Sequence, residues 1–520
     1  MDLHQRPRSD LVSVGRAGMT TMEDSLVGMA EALRVEVTGR LDASIQAKHG
    51  QYFTPERAAV LIAGFPSLPS RGTIKVLDPG AGSGMLTAAL VERIATEAPE
   101  LVVEVHAVEV DPALLPSLDA TARMCEKWAA GHGVRVRVDV RREDLIESST
   151  GFGAALARDY DLVIMNPPYG KLAASSAARR ALATLGWESP NLYAAFLALG
   201  VEALRDGGQL VAITPRSFAN GPYFGRFRRR LLDSTTINQV HTFESRSTVF
   251  ADTGVLQENV VFAATRGSEH DKVRITMSRD HTDLASEYLV EYDDLVVPDD
   301  PNGFIRIVTS ADDTAVAERM VSLPATLPAL GVQVSTGRVV DFRARENLFD
   351  VPADGDHPLV YPGNLKSGLV EWPKSIRKAQ AFRLQKDENR KALMPSGFYV
   401  VVKRFSAKEE RRRIVAALWD PARNGEQDIA FENHLNVFHR SGAGLDRELG
   451  WGLCLWLNGS LVDRFFRTFS GHTQVNASDL RSLRFPREES LRLLARGIET
   501  LPAQADLDDL IDRATKETTA

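Results

Sequence analysis

Lys75-Val76-Leu77-Asp78-Pro79-Gly80-Ala81-Gly82-Ser83-Gly84 decides the fold. An apolar strand ends in an acid, turns through three glycines spaced Gly-x-Gly-x-Gly, and opens a helix over Gly84–Thr96. That strand, glycine turn, helix order is the opening unit of a nucleotide-type site, because residues without a side chain let a ligand lie against the backbone. A purely structural tight turn fits the same pattern. A dinucleotide would call for the longer glycine fingerprint with its phosphates over the helix N-terminus, and the spacing here is shorter.

Strand and helix patterns alternate outward from this turn. Val102–Val110, Val134–Val140, Tyr160–Met165 and Gln209–Thr214 read as strands, separated by helices at Ala113–Ala130 and Asn191–Leu204. Such alternation predicts an α/β fold: a doubly wound, mostly parallel, Rossmann-like sheet with helices on both faces. Gln239–Phe243 and Asn259–Thr265 follow without a long helix between them, which suits an antiparallel sheet edge. Upstream, a helix is expected around Met22–Leu41, and Thr54-Pro55 reads as the N-cap and first-turn pair of a helix over Glu56–Gly64.

The 520 residues are enough for two or three domains. The expected division is a leader and helix over 1–45, a catalytic domain over 46–268, a linker region over 269–325 and a C-terminal mixed α/β domain over 326–520. The acidic, Pro/Asp-rich stretch around Val297–Gly303 marks the junction. No apolar run reaches membrane-spanning length, and Met1–Thr20 lacks the apolar centre of a signal peptide, so a cytoplasmic protein is expected. Cys125 and Cys454 lie in apolar helical surroundings and read as reduced thiols, and no Cys/His cluster has zinc-ligand spacing. No metal is expected.

The second strand ends in Val108-Glu109-Val110-Asp111, which places the Glu109 carboxylate where it can take both hydroxyls of a ribose; a solvated strand-end acid is the alternative. Asp144 and Leu145 follow the third strand, in position for an adenine ring edge, although Arg142-Glu143-Asp144 also reads as a charged loop. Asn166-Pro167-Pro168-Tyr169, directly after Leu162-Val163-Ile164-Met165, is the most specific signal. Two prolines hold the backbone rigid at the carboxyl end of a strand, where open α/β sheets bind ligands. The Asn166 side-chain oxygen and the Pro167 carbonyl can be aimed at an amino group, and Tyr169 offers a ring for stacking.

Gly50-Gln51-Tyr52-Phe53-Thr54-Pro55, then Asp78 to Gly84, then Asn166 to Tyr169, followed by a long C-terminal region, resemble the gamma class of DNA adenine-N6 methyltransferases. More narrowly they resemble the Taq-like adenine methylases of type II restriction-modification systems. Asn191-Leu192-Tyr193, Gly207-Gly208-Gln209 and Pro215-Arg216-Ser217-Phe218 fit as well. The resemblance implies a sheet of about seven strands, S-adenosyl-L-methionine as methyl donor, and transfer to N6 of an adenine flipped out of duplex DNA. It implies that Thr54 touches the methionine part of the cofactor with Asp78, Gly80 and Gly82 nearby. Phe250, in Ser247-Thr248-Val249-Phe250, is the positional match for the aromatic that covers the second face of the adenine; a core phenylalanine is its alternative.

The implied partners are double-stranded DNA and a separate restriction endonuclease, with the chain itself monomeric. Enzymes that methylate guanine N2 in RNA or glutamine N5 in proteins share the Asn-Pro-Pro-Tyr motif and form the rival class. The net charge of −7 does not oppose DNA binding, since phosphate contact needs local charge. Tyr361–Arg413 holds 14 Lys and Arg against 5 Asp and Glu, interleaved with Tyr361, Trp372, Phe382, Phe398, Tyr399 and Phe405. This window reads as a DNA-facing surface, and its Lys403-Arg404 and Lys408–Arg413 runs equally as a solvated helix face. Arg226, Arg228, Arg229 and Arg230 read either as phosphate contacts or as a helix coat. Ser470–Asn476 belongs to the resemblance as part of the target-recognition region.

Overall fold

The computed structural model describes residues 25–41, 50–150, 158–243, 258–267, 269, 271–278, 286–298, 300, 303–307, 311–406, 410–470 and 474–516. Its organising element is β1 (Arg71–Pro79), whose second half is almost wholly buried. Strands β2 (Glu100–Glu109), β3 (Arg135–Arg142), β4 (Tyr160–Met165) and β5 (Leu204–Pro215) join it. Pairing is parallel throughout this part, in the order β3-β2-β1-β4-β5. β6 (Thr235–Phe243) and β7 (Asn259–Arg266) complete the expected antiparallel edge, with β7 inserted between β5 and β6. The order reverses between β1 and β4, the switch point where such sheets bind ligands beyond their carboxyl ends.

The sheet does not stop at the expected seven strands. β8 (Lys272–Ser278) pairs parallel to β6, and β9 (Ser286–Glu291) pairs antiparallel to β8, giving nine. Both lie in the stretch expected to be linker, 269–325, and Ile305 and Ile307 still pack in the core of the first unit, so that unit runs on to about residue 307. The helix Ala311–Val321 from the same stretch buries Val316, Ala317 and Met320 in the core of the C-terminal unit. The acidic and Pro/Asp-rich composition hid this, because these short elements alternate apolar with polar residues and the edge strand β9 carries a polar outer face.

Helices α1 (Leu26–Thr38), α2 (Glu56–Ala63), α3 (Met85–Glu97) and α4 (Leu115–Gly131) pack on one face around Val76, Val103, Val105 and Ile164. The other face is covered by a layer of which α5 (Leu145–Thr150), α6 (Ala177–Thr184), α7 (Leu192–Ala203) and α8 (Gly225–Ser234) are the helices, around Val163, Met165 and Leu210. α7 is buried nearly all round, with Asn191 capping it through Ala194 N. α2 departs from expectation at its cap: the N-cap is Pro55 and the Thr54 side chain does not cap.

The C-terminal unit holds a six-stranded sheet and a five-stranded sheet. The first of these has its centre at Leu435–His439, Tyr399–Lys403 and Ala416–Trp419. The apolar helix Arg447–Leu457 lies in the core with Trp451 and Trp456 buried. Cys125 and Cys454 are buried and free. No helix among the described residues is long and apolar enough to cross a membrane.

Candidate active site

A cavity of about 470 Å³ opens at the carboxyl ends of β1, β2 and β4. It is lined by Thr54, Asp78, Gly80, Gly82, Glu109, Asp144, Leu145, Asn166 and Pro168, which brings the separate sequence motifs to one place. Pro167 is buried and Tyr169 half-buried beside it, outside the lining itself. Phe250, with the rest of Ser247-Thr248-Val249-Phe250, lies outside the described residues.

The glycine turn is held by Gly80 N and Ala81 N, which donate to Val108 O at 2.8 and 3.0 Å and so tie β1 to β2 beyond their last strand pair. Gly84 stands at φ +88°, and a Cβ there would come within 2.9 Å of Thr121, so this close packing against α4 admits only glycine. Glu109 accepts from Gly82 N at 2.9 Å with one oxygen and from Val110 N and Asp111 N at 2.9 and 2.8 Å with the other. The acid thus braces the turn as well as facing the cavity. Burial pushes its pKa up, against the opposing pull of those three backbone donors.

Asp78 is 1% exposed and accepts from Thr87 Oγ1 at 2.7 Å. Burial pushes its pKa up to about 7; the Thr87 hydrogen bonds oppose this and the neighbouring Glu109 adds to it. Asp144 accepts from Ile146 N and Glu147 N through Oδ1, at 2.8 and 3.1 Å, and so anchors the start of α5 at the cavity wall.

The segment Gly50–Thr54 and the loop Asn166–Gly170 form one unit. Tyr169 N donates to Gly50 O at 2.9 Å. Asn166 Nδ2 donates to Tyr52 O at 2.8 Å and to Thr54 Oγ1 at 3.0 Å. Gly50 sits at φ +66° so close to Gly170 that a Cβ would lie 2.3 Å from Gly170 N. The Tyr52 and Tyr169 rings are 5.2 Å apart, and Tyr169 meets Tyr193 edge-on at 6.2 Å. The Thr54 hydroxyl is therefore an acceptor for Asn166, which is why it does not cap α2.

Asn166 Oδ1 is buried and has no hydrogen-bond partner among the described residues, and the same holds for the Tyr169 hydroxyl. A buried amide oxygen left bare costs free energy unless a ligand supplies the donor. Both protons of its amide being used, Asn166 can only accept.

The lining carries Asp78, Glu109, Asp111, Glu143 and Asp144, and no Lys, Arg or His. A pyrophosphate-bearing cofactor would meet carboxylates alone, whereas a ligand with a sulfonium and an ammonium group is matched in charge. The volume, the strand-end acid facing the cavity and this charge fit S-adenosylmethionine. Sequence reasoning missed Phe53, whose ring lies against the Gly82 turn, and Phe196 of α7, which lies against Gly80. It also missed Gln51, whose Nε2 donates to Asp111 Oδ2 at 2.9 Å across the mouth. Phe53 and Gln51 sit inside the motif already singled out; Phe196 reads as core on an apolar helix and carries no signal of its own.

The basic window 361–413 is partly neutralised within the protein. Lys366, Lys378, Arg383 and Lys403 pair with Glu371, Asp341, Asp356 and Glu410. Arg413 is fully buried and donates to the hydroxyls of Ser406 and Ser470. Tyr361, Phe382 and Tyr399 are core residues, since alternate positions of short strands point inward. Lys408 lies outside the described residues, as do His472 and Thr473 of the 470–476 segment. The ends of that segment are structural: Ser470 meets Arg413, and Val475 O accepts from Asn436 Nδ2. Arg228 of α8 is buried and donates to Gly303 O and Phe218 O, so it is a packing residue.

Residues 128–250 match the family described as Eco57I restriction-modification methylase. The chain is 39% identical over 457 residues to the type II methyltransferase M.BsuBI of Bacillus subtilis, covering 86% of this chain and 90% of that one. It is 35% identical over 501 residues to the type II methyltransferase M.PstI of Providencia stuartii, covering 95% and 98%. The solved structure of the type IIL restriction-modification enzyme MmeI in complex with DNA shares the fold, with a TM-score of 0.55 at 12% identity, over 96% of this chain and 77% of that one.

Proposed function

The chain belongs to the type II methyltransferases of restriction-modification systems, and from that premise we propose that it methylates N6 of an adenine flipped out of duplex DNA. It is a DNA methyltransferase that uses S-adenosylmethionine and works alongside a restriction system. The finer assignments of target atom, site residues, monomeric state and cytoplasmic location are our reading. The observation that carries it is Asn166 Oδ1, a buried acceptor without a protein donor at the edge of the cofactor-sized cavity.

Thr54, Asp78, Gly80, Gly82, Glu109, Asp144 and Leu145 hold S-adenosylmethionine in this reading, the carboxylates taking its ribose hydroxyls and positive groups. When bound, the cofactor supplies an electrophilic methyl group. Asn166 Oδ1 and the Pro167 carbonyl accept the two N6 hydrogens of adenine, which favours a pyramidal nitrogen with its lone pair available. Tyr169 stacks on the base and offsets the stacking lost on flipping. Phe250 is assigned the second face on resemblance alone. Catalysis is then mostly positioning, through acceptors fixed before substrate arrives.

The rival reading, guanine N2 in RNA or glutamine N5 in protein, is not favoured, because the relatives matched over at least nine-tenths of their own length are type II methyltransferases. Purified protein given labelled S-adenosylmethionine with unmethylated duplex DNA, RNA and bulk protein separately tests the reading. Label in N6-methyladenine of DNA is the expected result. Label confined to RNA guanine or to glutamine would overturn it.

A further inference from the structure

Tyr223 is 84% exposed, more than any other large apolar or aromatic side chain among the described residues. Isolated exposed aromatics are common and need no explanation, but this one is held in place from beneath. It lies in the turn Pro222–Phe224 leading into α8. Gly221 N donates to Ser217 O at 2.8 Å and Phe224 N to Gly221 O at 3.1 Å. The buried guanidinium of Arg228 donates back to Phe218 O and Gly221 O at 3.0 and 3.3 Å.

The turn is continuous with the proposed base site. Phe224 stacks on Tyr193 at 5.5 Å with an interplanar angle of 15°, and Tyr193 in turn meets Tyr169 edge-on. A three-ring ladder thus leads from the Asn-Pro-Pro-Tyr loop to the residue beside Tyr223. Three residues on, Arg226 is exposed, as are Arg229 and Arg230, whereas Phe227, Arg228 and Leu231 face inward. The turn and the outer face of α8 behind it therefore present an aromatic ring followed by arginines at about helical spacing. Arg226 is paired only at the surface, 3.0 Å from Glu188 with its side chain 75% exposed, and such a pair is weak enough to exchange for a phosphate.

We propose that Tyr223 with Arg226 and Arg229 forms a second DNA-contact surface on the catalytic unit, beside the base site. Tyr223 stacks on a base exposed when the target adenine leaves the helix, and the arginines hold the flanking phosphates. An exposed ring on a fixed turn loses little freedom on binding, and stacking is indifferent to base identity. This surface fixes where the helix is opened and leaves sequence reading to other parts of the chain. The proposal rests on the reading of the chain as a DNA-modifying enzyme.

The test measures methylation of unmethylated plasmid DNA with labelled S-adenosylmethionine by the full-length protein. Tyr223→Ala is expected to raise KM for DNA at least tenfold while cofactor Kd and Tm stay as in the wild type, and Tyr223→Phe to remain within twofold. The double variant Arg226→Gln, Arg229→Gln is expected to flatten the dependence of log K on log salt by up to about 2. KM within twofold of wild type for Tyr223→Ala overturns the surface, as does an unchanged salt slope in the double variant. A wild-type protein that leaves plasmid DNA unlabelled overturns the underlying reading and the surface with it, so the two failures are distinguishable.

Discussion

Asn166 is oriented by Thr54: its amide donates to the Thr54 hydroxyl at 3.0 Å and, with its other proton, to Tyr52 O. A carbonyl can only accept, so the amide nitrogen must face Tyr52 and the oxygen must face away. The acceptor is thus aimed before any substrate arrives. Removing it with Asn166→Ala is expected to cost on the order of 3 kcal/mol in the chemical step, by analogy with loss of an oxyanion-hole donor. Turnover should fall more than a hundredfold while cofactor Kd stays within threefold. Thr54→Val removes the orienting hydrogen bond, worth about 1 kcal/mol, so kcat should fall roughly fivefold, and because Thr54 also lines the cofactor cavity its cofactor Kd should rise where that of Asn166→Ala does not. Single-turnover rates and cofactor titrations separate the two effects, and full activity of Asn166→Ala would defeat the assignment.

Gly50 offers a test at a distance from the chemistry. It has φ +66°, and a Cβ would lie 2.3 Å from Gly170 N, backbone that cannot swing aside. Gly50→Ala must push the 50–54 segment off the 166–170 loop, disturbing the Tyr169 N to Gly50 O hydrogen bond. The expected cost is about 1–3 kcal/mol of stability, read by urea unfolding, with a larger loss of kcat than of DNA affinity.

The parallel half of the sheet, its antiparallel edge and the gathering of Thr54, Asp78, Glu109, Asp144 and Asn166 at one cavity follow from what the sequence displays openly. Strand ends in this topology all point to the same edge, so a motif at the end of each strand must converge there. What stayed hidden had a physical reason in each case. β9 is the edge strand and β8 its neighbour, both short and alternating with polar residues in an acidic stretch, so composition imitates a linker. The lysines and arginines of 361–413 look like one patch in sequence, but strand alternation buries the aromatics Tyr361, Phe382 and Tyr399 among them, Arg413 is buried, and several of the rest are tied to nearby acids, as Arg383 is to Asp356 at 2.6 Å. Thr54 resembled a helix cap because a hydroxyl before proline usually is one; its real partner, Asn166, is 112 positions away.

Asp78 makes the protein pH-sensitive. Its folded pKa is raised from 3.8 to about 7 by burial. Below pH 4 the carboxyl is protonated in folded and unfolded chains alike, so it contributes nothing. Between pH 4 and 7 the unfolded chain ionises first, and stability falls as pH rises through that window, by up to about 4 kcal/mol. Asp78→Asn should flatten this fall in urea unfolding measured from pH 4.5 to 7.5. A cationic cofactor draws the carboxyl into its ionised form, so binding should release a proton near pH 7 and tighten as pH rises. Calorimetry in two buffers of different ionisation enthalpy reads that proton directly, and Asp78→Asn should lose it.

Arg216 joins the two units. Its guanidinium donates to Glu258 Oε1 at 2.7 Å and to Thr468 O at 2.5 Å, with the Arg216 and Glu258 side chains 5% and 2% exposed. Desolvating such a pair costs nearly as much as the attraction returns, so the pair itself adds little net stability. Removing one partner is a different matter, because a buried charge then loses its counter-charge. Arg216→Met is therefore expected to cost about 3–5 kcal/mol, and Glu258→Gln a comparable amount. The double replacement Arg216→Met, Glu258→Met should be closer to wild type than either single variant, since it leaves no buried charge behind. Arg216 also carries the hydrogen bond to Thr468 in the C-terminal unit, and the double variant lacks it. Its denaturant unfolding should therefore divide into two transitions where the wild type shows one. A double variant as unstable as the sum of the singles would mean that the two residues act independently and that the ion pair does not govern the junction.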